Sequence, residues 1–152
     1  MSVETVYDVM ELTRKVHHKL AEDLDNCYTV EGRERVRMLL AYLSEHESKL
    51  EAVIKQAEQD AVKAILNTWL SDYLDGFAAL QHLSAPLECD RGDADAVLAA
   101  VLVMHERLIE LYRYLADKAP TPSVAELLGS LMELEHSEAM RMARDAGRLN
   151  DI

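Results

Sequence analysis

The chain has 152 residues, 49% of them apolar, and carries 28 acidic side chains against 16 Lys and Arg for a formal net charge of −12. That length suits one domain with a proper core. The acidic balance excludes a phosphate-binding face and an anionic-membrane surface, both of which need clustered basic residues, so no nucleic-acid or membrane partner is expected.

Only 5 Gly and 3 Pro interrupt the chain, and strand-type alternation is absent, which predicts an all-α protein. A first helix is expected from about Ser2 to Cys27, with the apolar stripe Val6, Val9, Met10, Thr13, Val16, His17, Leu20, Leu24, Cys27. A turn near Thr29–Gly32 leads to a second helix from about Arg33 to Glu58, antiparallel to the first because the loop is short. Ala61–Leu74 reads as one further helix, with Trp69 and Tyr73 covering a bundle end. Asp75-Gly76, Ala85-Pro86 and residues 89–93 are turn chemistry. A third long helix starts at Asp93 or Asp95 as N-cap and ends near Lys118. The fourth starts at Thr121-Pro122 or in a Ser123–Glu126 capping box, and stops at Gly147. The expected architecture is a single four-helix bundle over residues 1–152. One αα-hairpin (about 2–58) and another (about 93–147) are joined by a long crossover containing a short helix.

Cys27 and Cys89 have neither CxxC nor metal-knuckle spacing, so reduced thiols are expected. No apolar signal segment follows Met1, and no run of about 18 apolar residues exists. The expected localisation is cytoplasmic. No P-loop, nucleophile elbow or dinucleotide fingerprint is present.

Two glutamates occupy positions where a helix buries leucine. Glu47 falls in the row Val36, Leu40, Leu43, Glu47, Leu50, Ile54, and Glu135 in the row Val124, Leu128, Leu131, Glu135, Glu138, Met142. A lone buried carboxylate costs several kcal/mol, roughly, so both need partners. His17 and His105 each stand 30 residues upstream of one of them, two copies of one His/Glu pair offset by 88 residues. The hairpins align without a gap at that offset, and ten positions between Val9 and Ile54 are identical to their partners. Imidazole and carboxylate converging in a bundle suit iron or manganese, and zinc less well. The candidate ligands are His17, Glu47, His105, Glu135 and Glu138, with Tyr112 as a neighbouring donor or redox group. His18, Glu22, Glu106 and Glu110 read as solvated faces, His46 and His136 as lying beside the stripe.

The second hairpin resembles the rubrerythrin branch of the ferritin-like superfamily. His105-Glu-Arg-Leu-Ile-Glu-Leu-Tyr112-Arg-Tyr-Leu-Ala116 is similar to that family's first bundle helix. Leu131-Met-Glu-Leu-Glu135-His-Ser-Glu138 is similar to its second, which carries Glu-x-x-His. The resemblance implies a ferritin-like bundle with a metal centre and oxidase or peroxidase chemistry on O2 or peroxide. His17 and His105 stand where the family has Glu, and Leu50 and Glu138 where it has His. The family's four Glu and two His thus become two His and three Glu, which implies one ion, an asymmetric pair, or none. Glu133-x-x-His136 is an alternative register that would turn Glu133 out of the stripe. The reading from a different class is a metal-free bundle whose His and Glu satisfy each other, serving as an interaction or stress-associated module. A homodimer is expected in either case.

Overall fold

A computed structural model describes residues 3–74, 87 and 94–150. These form α1 (Val6–Val30), α2 (Glu34–Asp60), the one-turn α3 (Lys63–Leu66) and α4 (Ser71–Leu74), α5 (Ala94–Lys118) and α6 (Pro122–Asn150). The all-α expectation holds, with no strand among the described residues beyond one isolated bridge between Thr5 and Trp69.

Local chemistry sets the ends. α1 starts later than Ser2 because Thr5 and Asp8 close a capping box: the Asp8 amide donates to Thr5 Oγ1 and the Thr5 amide to Asp8 Oδ2, each at 3.2 Å. α6 takes the Thr121-Pro122 start, with the Val124 amide donating to Thr121 Oγ1 at 3.3 Å. It does not stop at Gly147. Met142 and Ala146 are fully buried and Leu149 packs against their cluster. That packing carries the last turn past a glycine costing about 1 kcal/mol in a helix.

The single helix expected over Ala61–Leu74 is broken. The Val6 amide donates to the Thr68 carbonyl at 3.0 Å, and the Leu70 amide to the Glu4 carbonyl at 2.7 Å. The first pairing satisfies one of the free amides at the start of α1, so residues 68–70 are held against Glu4–Val6 between α3 and α4. Leu70 is buried, but Trp69 is 53% exposed and does not seal the bundle end. The turns expected at Asp75-Gly76, Ala85-Pro86 and residues 89–93, the Asp93 cap and the Tyr73 side chain lie outside the described residues.

α1 pairs with α2, α5 pairs with α6, and α2 also packs on α6. The α1–α2 pair is antiparallel, since Arg14 reaches Glu58 at one end while Ser44 Oγ donates to Asp25 Oδ1 at 2.6 Å further along. Apolar side chains gather into two clusters. One holds Val6, Met10, Leu20, Ile54, Leu108, Tyr112 and Leu128 among others. The other holds Leu24, Leu39, Leu40, Leu43, Val101, Met142 and their neighbours. On α2 and α6 the boundary between clusters falls at Glu47 and Glu135.

Cys27 is disulfide-bonded, and no cysteine among the described residues is free. This overturns the expectation of reduced thiols. A disulfide depends on how close two Cα atoms come in space, which sequence spacing does not report. Cys89, the chain's other cysteine, lies outside the described residues.

Candidate metal centre

Each long helix sends one fully buried histidine or glutamate into the bundle at a position its apolar periodicity dictates. His17 follows Met10 and Thr13 on α1, and Glu47 follows Leu40 and Leu43 on α2. His105 follows Val97 and Val101 on α5, and Glu135 follows Leu128 and Leu131 on α6. All four are 0% exposed. Spacing of 3 and 4 residues places them on the buried stripe regardless of their polarity.

They form a closed ring in which histidine and glutamate alternate. His17 Nδ1 lies 2.7 Å from Glu47 Oε1, and His17 Nε2 lies 2.5 Å from Glu135 Oε1. His105 Nε2 lies 2.7 Å from Glu47 Oε2, and His105 Nδ1 lies 2.8 Å from Glu135 Oε2. The imidazole planes are tilted by 46°, with centroids 5.3 Å apart. Each histidine therefore serves both glutamates, rather than only the one 30 residues downstream.

The contacts set the proton count. A neutral imidazole has one N–H and one lone pair. Here both nitrogens of each ring face carboxylate oxygens, and the carboxylate charges favour the imidazolium form of both rings. Two imidazolium and two carboxylate groups sum to zero charge. Burial alone would neutralise each group, but the partners override it. The charges of Glu135 and Glu47 raise His17 to about 10, and Glu47 with Glu135 raises His105 to about 9. Burial likewise opposes the ionised carboxylates, yet His105 and His17 hold Glu47 down to about 2 and lower Glu135 as well.

The ring is not uniform. Three contacts are aligned hydrogen bonds. The fourth, His105 Nδ1 to Glu135 Oε2, is short but misaligned, so it is an ion-pair contact that leaves both buried atoms without a hydrogen-bond partner. Donor atoms of His17, His105 and Glu135 lie within 4.8 Å of one another, a buried group that could hold a metal ion. The weak contact belongs to that same group.

Glu138 lies apart from the ring. Its Oε2 pairs with His46 Nδ1 at 3.0 Å and its Oε1 accepts from Arg141 at 2.9 Å. This second cluster bridges α2 and α6: the Tyr42 ring packs tilted against His46, centroids 4.4 Å apart, and its hydroxyl donates to Asp145 Oδ2 at 2.9 Å. Glu133 and His136 are both exposed, so the alternative register is not the one adopted. Leu50 is buried on Glu47's stripe and supplies no donor.

Tyr112 is fully buried and its hydroxyl has no hydrogen-bond partner. Burial and the Glu135 charge raise its pKa, keeping it a phenol. Glu58 escaped the sequence reading, although it continues the α2 stripe one turn past Ile54. It is 8% exposed and stands 3.5 Å from Arg14. Burial and Glu11 push its pKa up to about 7 despite Arg14. A cavity of about 340 Å³ lined by Glu11, Arg14, Lys15, His18 and Glu51 opens on that flank, and none of the four ring residues lines it.

No helix among the described residues is long and apolar enough to cross a membrane. No family model, curated protein or solved structure matches the chain.

Proposed function

We propose that the protein binds one divalent first-row metal ion, iron or manganese, at the centre formed by His17, His105, Glu135 and Glu47. The observation that carries this reading is the misaligned contact between His105 Nδ1 and Glu135 Oε2, buried and 2.8 Å apart. Leaving a buried donor or acceptor unsatisfied costs about 1–3 kcal/mol. An ion seated there would engage both atoms.

Charge supports the same reading. A ligating imidazole must lose a proton. Exchanging two protons for one divalent ion leaves the buried group neutral, whereas a monovalent or trivalent ion would leave a net charge in the core. Two imidazoles and a carboxylate with open positions are the donor set of mononuclear non-haem Fe(II) sites. When bound, such an ion supplies a Lewis-acidic, redox-active centre. The chain's own residues exclude bulk water and hold the ring residues on four helices. Complete burial restricts any reactant to the size of O2 or peroxide, in line with the resemblance to the rubrerythrin branch.

A metal-free polar core is the second reading. The observation favouring it is that three of the four contacts are good hydrogen bonds and the ring is already neutral. Equilibrium dialysis of chelator-free protein against Mn2+, and anaerobically against Fe2+, decides between them. The metal reading expects one ion per chain and a rise in melting temperature with metal concentration. Absence of both establishes the metal-free core.

A further inference from the structure

The geometry points to an asymmetric centre in which Glu135 is the carboxylate ligand and Glu47 is a positioning residue that never touches the ion. This rests on the metal-binding reading above and deepens it. The two carboxylates look equivalent in sequence, each in its own copy of the hairpin repeat. They are not equivalent in space.

On the Glu47 side, both contacts are aligned hydrogen bonds of 2.7 Å, from His17 Nδ1 to Oε1 and from His105 Nε2 to Oε2. Both carboxylate oxygens are used, one per imidazole. An ion entering there would break two good charge-assisted bonds. On the Glu135 side only one contact is a hydrogen bond, and the other leaves two buried atoms without a partner. Displacing that pair costs less. The three residues whose donor atoms converge are His17, His105 and Glu135, without Glu47.

The imidazole allocation follows. Each ring gives one nitrogen to each carboxylate, so an ion on the Glu135 side takes His17 Nε2 and His105 Nδ1. The nitrogens left over, His17 Nδ1 and His105 Nε2, keep their protons and donate to Glu47. A carboxylate behind a ligating histidine fixes its tautomer and orientation and raises its basicity. One Glu47 side chain does this for both rings. The centre thus uses opposite nitrogens of its two histidines, an outcome that the near-identical helical positions of His17 and His105 do not suggest.

The test uses Zn2+ as a diamagnetic probe on the full chain with 15N-labelled histidine. Nitrogen NMR of the zinc-loaded protein is expected to show metal bound to His17 Nε2 and His105 Nδ1, with N–H retained on His17 Nδ1 and His105 Nε2. Metal on His17 Nδ1 or His105 Nε2 overturns the inference. Glu47→Gln is expected to lower zinc affinity about 10–100-fold while both histidines stay bound and stoichiometry is unchanged. Glu135→Gln is expected to lose more affinity, together with one oxygen ligand in X-ray absorption. Equal losses in the two variants, or loss of an oxygen ligand in Glu47→Gln, place Glu47 on the ion and overturn the inference. Wild-type protein that takes up no Zn2+, Mn2+ or Fe2+ refutes the metal-binding reading itself, a result distinct from zinc bound through the wrong nitrogens.

Discussion

His17 Nε2 and Glu135 Oε1 meet at 2.5 Å although 118 residues separate them in the chain. This contact ties α1 to α6, which no loop joins directly, and completes the circuit that His105 and Glu47 close from α5 and α2. Its partners are charged, buried and matched in number. The bundle therefore tolerates four ionisable groups at its centre as a set and not singly.

That dependence predicts a stability pattern. Glu47→Leu in the metal-free protein strands two imidazolium N–H groups and is expected to destabilise the fold by about 3–5 kcal/mol. Replacing His17, Glu47, His105 and Glu135 together by leucine removes every charge at once. The quadruple variant is expected to match the wild type or exceed it by about 1–4 kcal/mol. Urea unfolding of both variants measures this. A quadruple variant weaker than Glu47→Leu contradicts the ring account.

The pH dependence of the metal-free protein follows from the same groups. His17 and His105 titrate higher folded than unfolded, at about 10 and about 9 against 6.5. Their contribution is full below pH 6.5 and is lost as pH rises through 9 and 10. Glu47 titrates lower folded, at about 2 against 4.5, so its contribution is present above pH 4.5 and is lost as pH falls toward 2; Glu135 acts in the same direction. Glu58, raised to about 7, removes stability between pH 4.5 and 7. Melting temperature is expected to peak near the acidic end of the window between 4.5 and 6.5, and to fall steadily above it. Metal binding is expected to run the other way, strengthening with pH as imidazole protons are released. Thermal melts across pH, with and without Mn2+, check both slopes.

Glu138 separates stripe position from site membership. Its carboxylate is held by His46 and Arg141. Glu138→Gln is expected to leave metal affinity within about twofold of wild type, because it removes a part-exposed pair worth about 1 kcal/mol or less. Calorimetric titration alongside Glu135→Gln makes the comparison. A loss in Glu138→Gln as large as in Glu135→Gln would return Glu138 to the ligand set.

The disulfide at Cys27 predicts a redox-dependent stability. Thiol labelling of unfolded, non-reduced protein is expected to leave Cys27 unlabelled, and to label it after reduction. Reduction is expected to cost about 2–4 kcal/mol, the usual range for a native disulfide. An unchanged denaturation midpoint after reduction would show that the bond constrains nothing.

The helices and the four buried polar positions were legible because both depend on local periodicity. A stripe recurring every 3 to 4 residues fixes which side chains face inward, and it carried His17, Glu47, His105 and Glu135 with their apolar neighbours. The same signal extends to Glu58, one turn beyond the stretch read. It misplaced Glu138, because a residue at the edge of a stripe has its side chain decided by whatever lies across the gap. Here His46 on α2 and Arg141 on its own helix were the stronger partners. Local turn chemistry misjudged residues 61–74 and Gly147 for a related reason. Hydrogen bonds to Glu4 and Val6 outweighed helix continuation in the first case, and burial of Met142 and Ala146 outweighed the glycine in the second.

By itself, then, the sequence determined an acidic, all-helical chain with two histidines and two glutamates aimed at one core, since composition and helical period need no knowledge of neighbours. Only the tertiary structure decided which nitrogen meets which oxygen. Pairing is a property of distances between helices, and those distances let each imidazole span both carboxylates. They also made one of the four contacts fail as a hydrogen bond. That single misaligned contact, between His105 and Glu135, breaks the symmetry of the repeat and leaves Glu47 with two hydrogen bonds and Glu135 with one.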